Sequence, residues 1–466
     1  MDLNNNNSLT ATADPTSGRA GSNPFNRSPK FVRSKDRCHI LTRTPIYDKR
    51  LRLLSYNLRF TAGENSFRPD ELLKKHVKHV LIGFFIRRHI DNFTEPKIHV
   101  MTELPLSSEV TKFAKPLPAN RFILHLQDRQ DSSASFQHQV NMLRRDAMTI
   151  AADVYTIVYT NWFTELRSIS YAVIDMTLDI EEQFILARNI TKKAPWIRII
   201  CDRCDNVNKA SIAFEAGADY VCCPTFSKDL LKVKFNPYIY KLQKRSYESI
   251  PSIISELLEA RPNYGKFIDL ISYRNNIKSS IPQLVDFLQK DTQVAFIYTS
   301  IEQTIYDCST EVLHKLICVL CLQMLEEFYH DDTENVKFLK YEPVKQILIR
   351  AKFIEELLSS KTSEIDISWA FTLGVCSNIG LLYPYSVPSL DAILSDIEKK
   401  LEDICSSEPL FDTALNIAKC MESLDLEYVD GVIENNTFSR HEILFAYENA
   451  LMWLSSFIEF KSKKFF

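Results

Sequence analysis

Arg43-Thr44-Pro45-Ile46-Tyr47-Asp48, running on to Ser55-Tyr56-Asn57-Leu58-Arg59-Phe60, is the stretch on which the fold turns. Two short runs of β-forming and apolar residues flank Asp48-Lys49-Arg50. A polar cluster between two such runs predicts strand, tight turn, strand. Outward from this hairpin, to about residue 240, short apolar runs alternate with amphipathic stretches. The pattern predicts strands over Leu51–Phe60, Lys97–Met101, Arg121–Leu126, Ala147–Ala152, Tyr171–Asp175, Ile197–Cys201 and Tyr220–Cys223. Between them it predicts helices over Asp70–Phe84, Phe136–Arg145, Ile180–Lys192 and Asn208–Ala216. Alternating strand and helix signals imply a parallel α/β architecture, open or closed. Gly217, between a helix and an apolar strand, is expected to take a left-handed cap.

From about residue 243 the strand signals fade. Apolar residues recur at i, i+3, i+4 and i+7 over Ile250–Leu258, Gly265–Ser272, Ile281–Leu288, Val312–Phe328, Val344–Ser359, Trp369–Gly374, Leu390–Ile404, Phe411–Met421 and Arg440–Phe457. That period predicts a second, all-α domain. Residues 1–37 are low in complexity and cannot bury enough apolar surface to offset their ordering entropy. The expected division is therefore 1–37 tail, 38–240 α/β and 241–466 helical.

Bulk properties narrow the function classes. The 466 residues are 45% hydrophobic with a net charge of −3. That balance gives no global attraction to nucleic acid. Nine Lys/Arg against Asp36 and Asp48 make residues 19–50 locally basic, which reads as a solubilising tail rather than a binding arm. No apolar run of about 18 residues predicts a transmembrane helix. No apolar signal region follows the first residues, and the eleven cysteines lack dense disulfide spacing, so a reduced, cytoplasmic setting is expected. Nine glycines form neither a Walker nor a dinucleotide-binding motif.

The layout resembles the YuxH-like EAL and HDOD family of bacterial cyclic di-GMP signalling proteins. The resemblance rests on Arg43–Phe60, Leu117–Leu124, Tyr171–Asp175 and Phe214–Ser227, then on Leu348–Leu357, Ala370–Gly374 and Ala446–Glu448, in that order. It implies an EAL-type (β/α) barrel of parallel strands followed by an HDOD-type helical bundle. An active EAL enzyme hydrolyses a phosphodiester with divalent metals held by carboxylates. Aligned with that pattern, the signature glutamate falls on Asn57, whose neutral amide is a poor ligand for a hard dication. The asparagine ligand falls near Val100 or Met101, and the next glutamate on His125. The paired aspartates fall on Asp153 and Val154. The catalytic lysine falls on Val173, while Asp175 is kept and a later glutamate becomes Asp202. The arginine of the signature strand is replaced by Thr61.

The resemblance thus implies a degenerate EAL domain with no catalytic set, no metal and no cofactor. It implies a regulatory scaffold that binds protein partners through its HDOD-like half, with self-association possible. Hydrolysis by an altered metal site around His125, Asp153, Asp175 and Asp202, or cyclic di-GMP binding without hydrolysis, stands as the alternative, and cyclic di-GMP binding is not expected.

Other chemistry-bearing residues are read more plainly. Cys201-Asp202-Arg203-Cys204 and Cys222-Cys223 only loosely match zinc spacing and read as small semi-buried hydrophobes. His330-Asp331-Asp332 reads as a helix-end turn. Tyr383, Tyr385, Trp453 and Phe457 are candidate interface anchors, with Trp453 and Phe457 better read as core because they lie one helical turn apart.

Overall fold

The computed structural model describes residues 39–62, 90, 93–95, 97–104, 119–126, 133–272, 274–278, 280–289, 303, 308–329, 341–361, 367–423, 426–435 and 437–464. The predicted helix Asp70–Phe84, the His330 doublet and the tail lie outside these residues.

Eight strands close into a barrel in chain order. They are β1 (His39–Tyr47), β2 (Leu53–Ala62), β3 (His99–Leu104), β4 (Phe122–Leu126), β5 (Thr149–Asp153), β6 (Tyr171–Asp175), β7 (Arg198–Asp202) and β8 (Tyr220–Cys222). β2 to β8 are mutually parallel, as expected. β1 runs antiparallel to both β2 and β8, as the strand, tight turn, strand reading of its hairpin with β2 requires. The reason is local. The Asp48 carboxylate accepts the backbone N–H groups of Arg50 (2.8 Å) and Arg52 (3.0 Å), and Leu51 adopts φ 55°. So short a connection can only reverse the chain, because a parallel return needs a crossover.

The expected helices between the strands are present as α1 (Ser133–Arg145), α3 (Ile180–Lys193) and α4 (Val207–Ala216). A short α2 (Val154–Tyr159) was not legible in the apolar pattern. Gly217 caps α4 at φ 109°, as predicted. α3 starts at Asp179, whose side chain accepts from the Glu182 N–H, and ends in Lys192-Lys193, matching the helix dipole at both ends.

Alternate residues of the strands face inward. Ile46, Met101, Ile123, Ala151, Val173, Ile200 and Cys222 fill the barrel as one apolar layer. The outward-facing residues join a larger core that continues under the helices and into the C-terminal region.

That region has only helices as regular elements among its described residues. It comprises α5 (Lys228–Lys234), α6 (Pro237–Glu256), α7 (Gly265–Ser272), α8 (Asn275–Lys278), α9 (Ile281–Leu288), α10 (Thr310–Glu326), α11 (Glu342–Ser359), α12 (Ala370–Ile379), α13 (Pro388–Ser407), α14 (Pro409–Ser423), α15 (Leu426–Glu434) and α16 (Arg440–Lys464). α11 is buried along nearly its whole length. Gly374 of α12 lies so close to α11 that a Cβ there would run into the Ala351 backbone.

The helical region meets the barrel through buried charge. The Arg43 guanidinium of β1 lies 4.0 Å from the Tyr56 ring centroid and 3.4 Å from Glu342. The Tyr56 hydroxyl donates to Glu342 (2.8 Å), and Lys345 pairs with both Glu95 and Glu342. Lys345 and Arg43 hold the Glu95 carboxyl down at about 2, against the upward pull of its burial.

One interface candidate is corrected. Tyr383 is buried at 2% exposure, its hydroxyl donating to the Tyr247 carbonyl. Of the four aromatic candidates only Tyr385 is exposed. Phe457 is fully buried and Trp453 stacks on it at 5.3 Å, which agrees with their reading as core.

Candidate functional site

One step beyond the apolar layer, towards the C-terminal ends of the parallel strands, the inward-facing residues become polar. β2 supplies Arg59, β3 Glu103, β4 His125, β5 Asp153, β6 Asp175 and β7 Asp202. Each is two positions after a residue of the apolar layer or, for Arg59, after Asn57, so one period-2 rule places all six. This end of a parallel barrel is where sites are built.

Arg59 organises the mouth. Its Nε donates to Glu103 (3.2 Å), and a terminal nitrogen pairs with Asp202. Asp202 is 3% exposed and accepts further hydrogen bonds from the Arg203 backbone N–H (2.9 Å) and from Asn57 Nδ2 (3.4 Å). Asn57 thus serves as a donor that steadies a carboxylate. His125 Nε2 lies 3.0 Å from Asp153, and its Nδ1 lies 4.0 Å from Glu103. Arg203 reaches back to Asp175 (3.2 Å), whose other oxygen accepts from both the N–H and the hydroxyl of Thr177.

The electrostatics follow from these contacts. Burial works to lower the His125 pKa, but Asp153, Glu103 and Asp202 override it and raise it from 6.5 to about 9. At pH 7 the imidazole is therefore protonated. Burial likewise opposes charge on Arg59, and Asp202 and Glu103 raise its pKa nonetheless. Burial would raise Asp202, while Arg59, His125 and Arg203 hold it below the usual carboxylate range. Three cations thus face four carboxylates, and the charges nearly cancel within the site.

Glu103, His125 and Asp202 each present a ligand atom within 4.8 Å of the others, the spacing of a metal cluster. The donor chemistry does not fit the divalent-metal centre of an active EAL enzyme. A dication would have to displace the Arg59 guanidinium from two carboxylates and take the proton from His125. Repulsion between a dication and an adjacent guanidinium is of order several kcal/mol even at an effective dielectric near 20.

The structure brings five of the seven expected positions, Asn57, His125, Asp153, Asp175 and Asp202, to the mouth. Val173 belongs to the apolar layer inside the barrel, and Val154 begins α2 in the outer core. Arg59 and Glu103 escape a comparison confined to the positions where the EAL pattern has ligands. Strand alternation from Asn57 and Met101 finds both. Cys201, Cys204, Cys222 and Cys223 are buried free thiols, and burial pushes the pKa of each upward, so they are inert packing groups.

No family model and no curated protein matches the chain. Among solved structures it is similar to an EAL domain protein of Listeria monocytogenes EGD-e, at 13% identity and TM-score 0.31 over 40% of this chain and 85% of that one. It is similar to the YkuI protein of Bacillus subtilis, which has an EAL domain and was solved with its substrate cyclic di-GMP and calcium, at 13% identity and TM-score 0.34 over 50% and 72%. It is also similar to the FimX EAL domain of Xanthomonas citri bound to cyclic di-GMP, at 16% identity and TM-score 0.30 over 39% and 84%.

Proposed function

We propose that the chain is a catalytically inactive EAL–HDOD-like protein whose barrel mouth is neutralised from within, and that it acts as a regulatory scaffold through protein contacts. The observation that carries this is the Arg59 guanidinium lodged between Glu103 and Asp202. A positive side chain stands where carboxylates would otherwise gather a dication, and the protonated His125 beside it cannot itself serve as a metal ligand or general base. A helical half joined to the barrel by buried charge suits a protein that presents one rigid surface to a partner.

The second reading is a hydrolase with a single rebuilt metal position at Glu103, His125 and Asp202, favoured by their mutual spacing. A turnover assay with cyclic di-GMP and magnesium or manganese separates the two, because that is the substrate of the family the sequence resembles. The proposal expects no metal-dependent product. Cleavage that is lost in Asp202→Asn would establish the hydrolase instead. Calorimetry with cyclic di-GMP alone tests whether the mouth takes the dinucleotide without cutting it.

A further inference from the structure

The segment joining the barrel to the helical region carries a surface that the barrel mouth does not use. Residues 228–245 contain six cations, Lys228, Lys232, Lys234, Lys241, Lys244 and Arg245, against one acid, Asp229. Among them, Val233 at the end of α5 and Tyr238 and Leu242 on α6 are 66%, 64% and 68% exposed. Tyr238 and Leu242 are one helical turn apart and share a face. Past its kink α6 buries Tyr247, Ile250 and Ile254. Single exposed apolar side chains are ordinary on a protein surface; what sets Val233, Tyr238 and Leu242 apart is the excess of cations in the same segment.

Beyond Leu242, where α6 kinks at Gln243, the surface continues into a groove of ≈ 690 Å³. Arg245, Lys266 and Arg274 line it, with Asp269 and Glu327 as its acids. Glu327 is already paired with Arg274 at 3.0 Å.

From this combination we infer that the α5–α6 face docks on an anionic membrane surface. Apolar tips ringed by long cationic side chains match the boundary between headgroups and acyl chains, with tyrosine suited to that level. The spread of charge over α5 and α6 fits a fluid array of phosphates. A single exposed aromatic side chain gives no stacking platform for bases, which disfavours single-stranded RNA. No described helix is long and apolar enough to cross a membrane, so the contact is peripheral.

The test is co-sedimentation of the full-length protein with vesicles of phosphatidylserine and phosphatidylcholine, against vesicles of phosphatidylcholine alone. Binding is expected only to the anionic vesicles and should fall as salt rises. The triple variant Lys241→Gln, Lys244→Gln, Arg245→Gln should bind about a hundredfold more weakly. Leu242→Ser should weaken binding about tenfold. Lys241→Arg with Lys244→Arg keeps the charge and should bind like the parent, which separates lost charge from lost folding. Three outcomes overturn the inference: no sedimentation, undiminished binding by the triple variant, or capture of polyglutamate in place of vesicles. The last would assign the face to an acidic protein.

Discussion

At the scale of single residues, Arg59 and His125 set the character of the mouth. Replacing Arg59 by Met leaves Glu103 and the buried Asp202 without their cation. Removing one partner of a buried pair costs about 3–5 kcal/mol. Denaturant melts should show that loss, with partial recovery as pH falls, because the uncompensated Asp202 then takes up a proton. His125 carries a different pH signature. Its pKa is raised from 6.5 to about 9, so its stabilisation is complete below pH 6.5 and disappears as pH rises through about 9. The span corresponds to roughly 3 kcal/mol. Thermal melts across that window should fall more steeply for the parent than for His125→Gln. The kept and altered carboxylates could be read from the sequence because each sits at a strand end in an apolar–polar alternation. The cation that neutralises them could not be assigned its partners, since Asp202 lies across the barrel from Arg59 and only closure brings them together.

At the scale of elements, two glycines test two different constraints. Gly217 ends α4 at φ 109° with open space around its missing Cβ, so Gly217→Ala should cost only about 1 kcal/mol, the strain of a left-handed alanine. Gly374 has no such freedom, because its neighbour is the α11 backbone at Ala351. Gly374→Ala forces α11 and α12 apart and should cost about 1–3 kcal/mol, as overpacking does. Paired melting curves of the two variants check the order. The long helices were legible because their apolar period spans several turns, as over Val344–Ser359. The short α2, α5 and α15 were not. α2 begins directly where β5 ends, so Val154 and Ile157 read as more strand, whereas α7 and α9, with eight residues each, stand apart from any strand and were legible.

At the scale of the whole molecule, Arg43, Tyr56 and Glu95 on the barrel side and Glu342 and Lys345 on α11 bind the two halves together. Nothing in the sequence pattern pairs these residues, which lie hundreds of positions apart. Glu342→Ala would strand the buried Arg43 guanidinium and leave Lys345 with Glu95 alone, at a cost of about 3–5 kcal/mol. The parent should unfold in one transition, and this variant should split it or lower its midpoint markedly. Glu95 adds an acid limit: its contribution is present above 4.5 and is lost as pH falls through about 2. The ring itself is joined unevenly. β1 pairs with β2 at nine positions but meets β8 only through Ile46 with Cys222 and Tyr47 with Val221. During synthesis β1 therefore emerges long before the strand that completes it, with one edge open to other nascent chains. Pro45 stands on that edge and offers no N–H to an intruding strand, while its carbonyl later accepts from Cys223 (3.3 Å). The residue that suits the finished barrel also guards the unfinished one against aggregation.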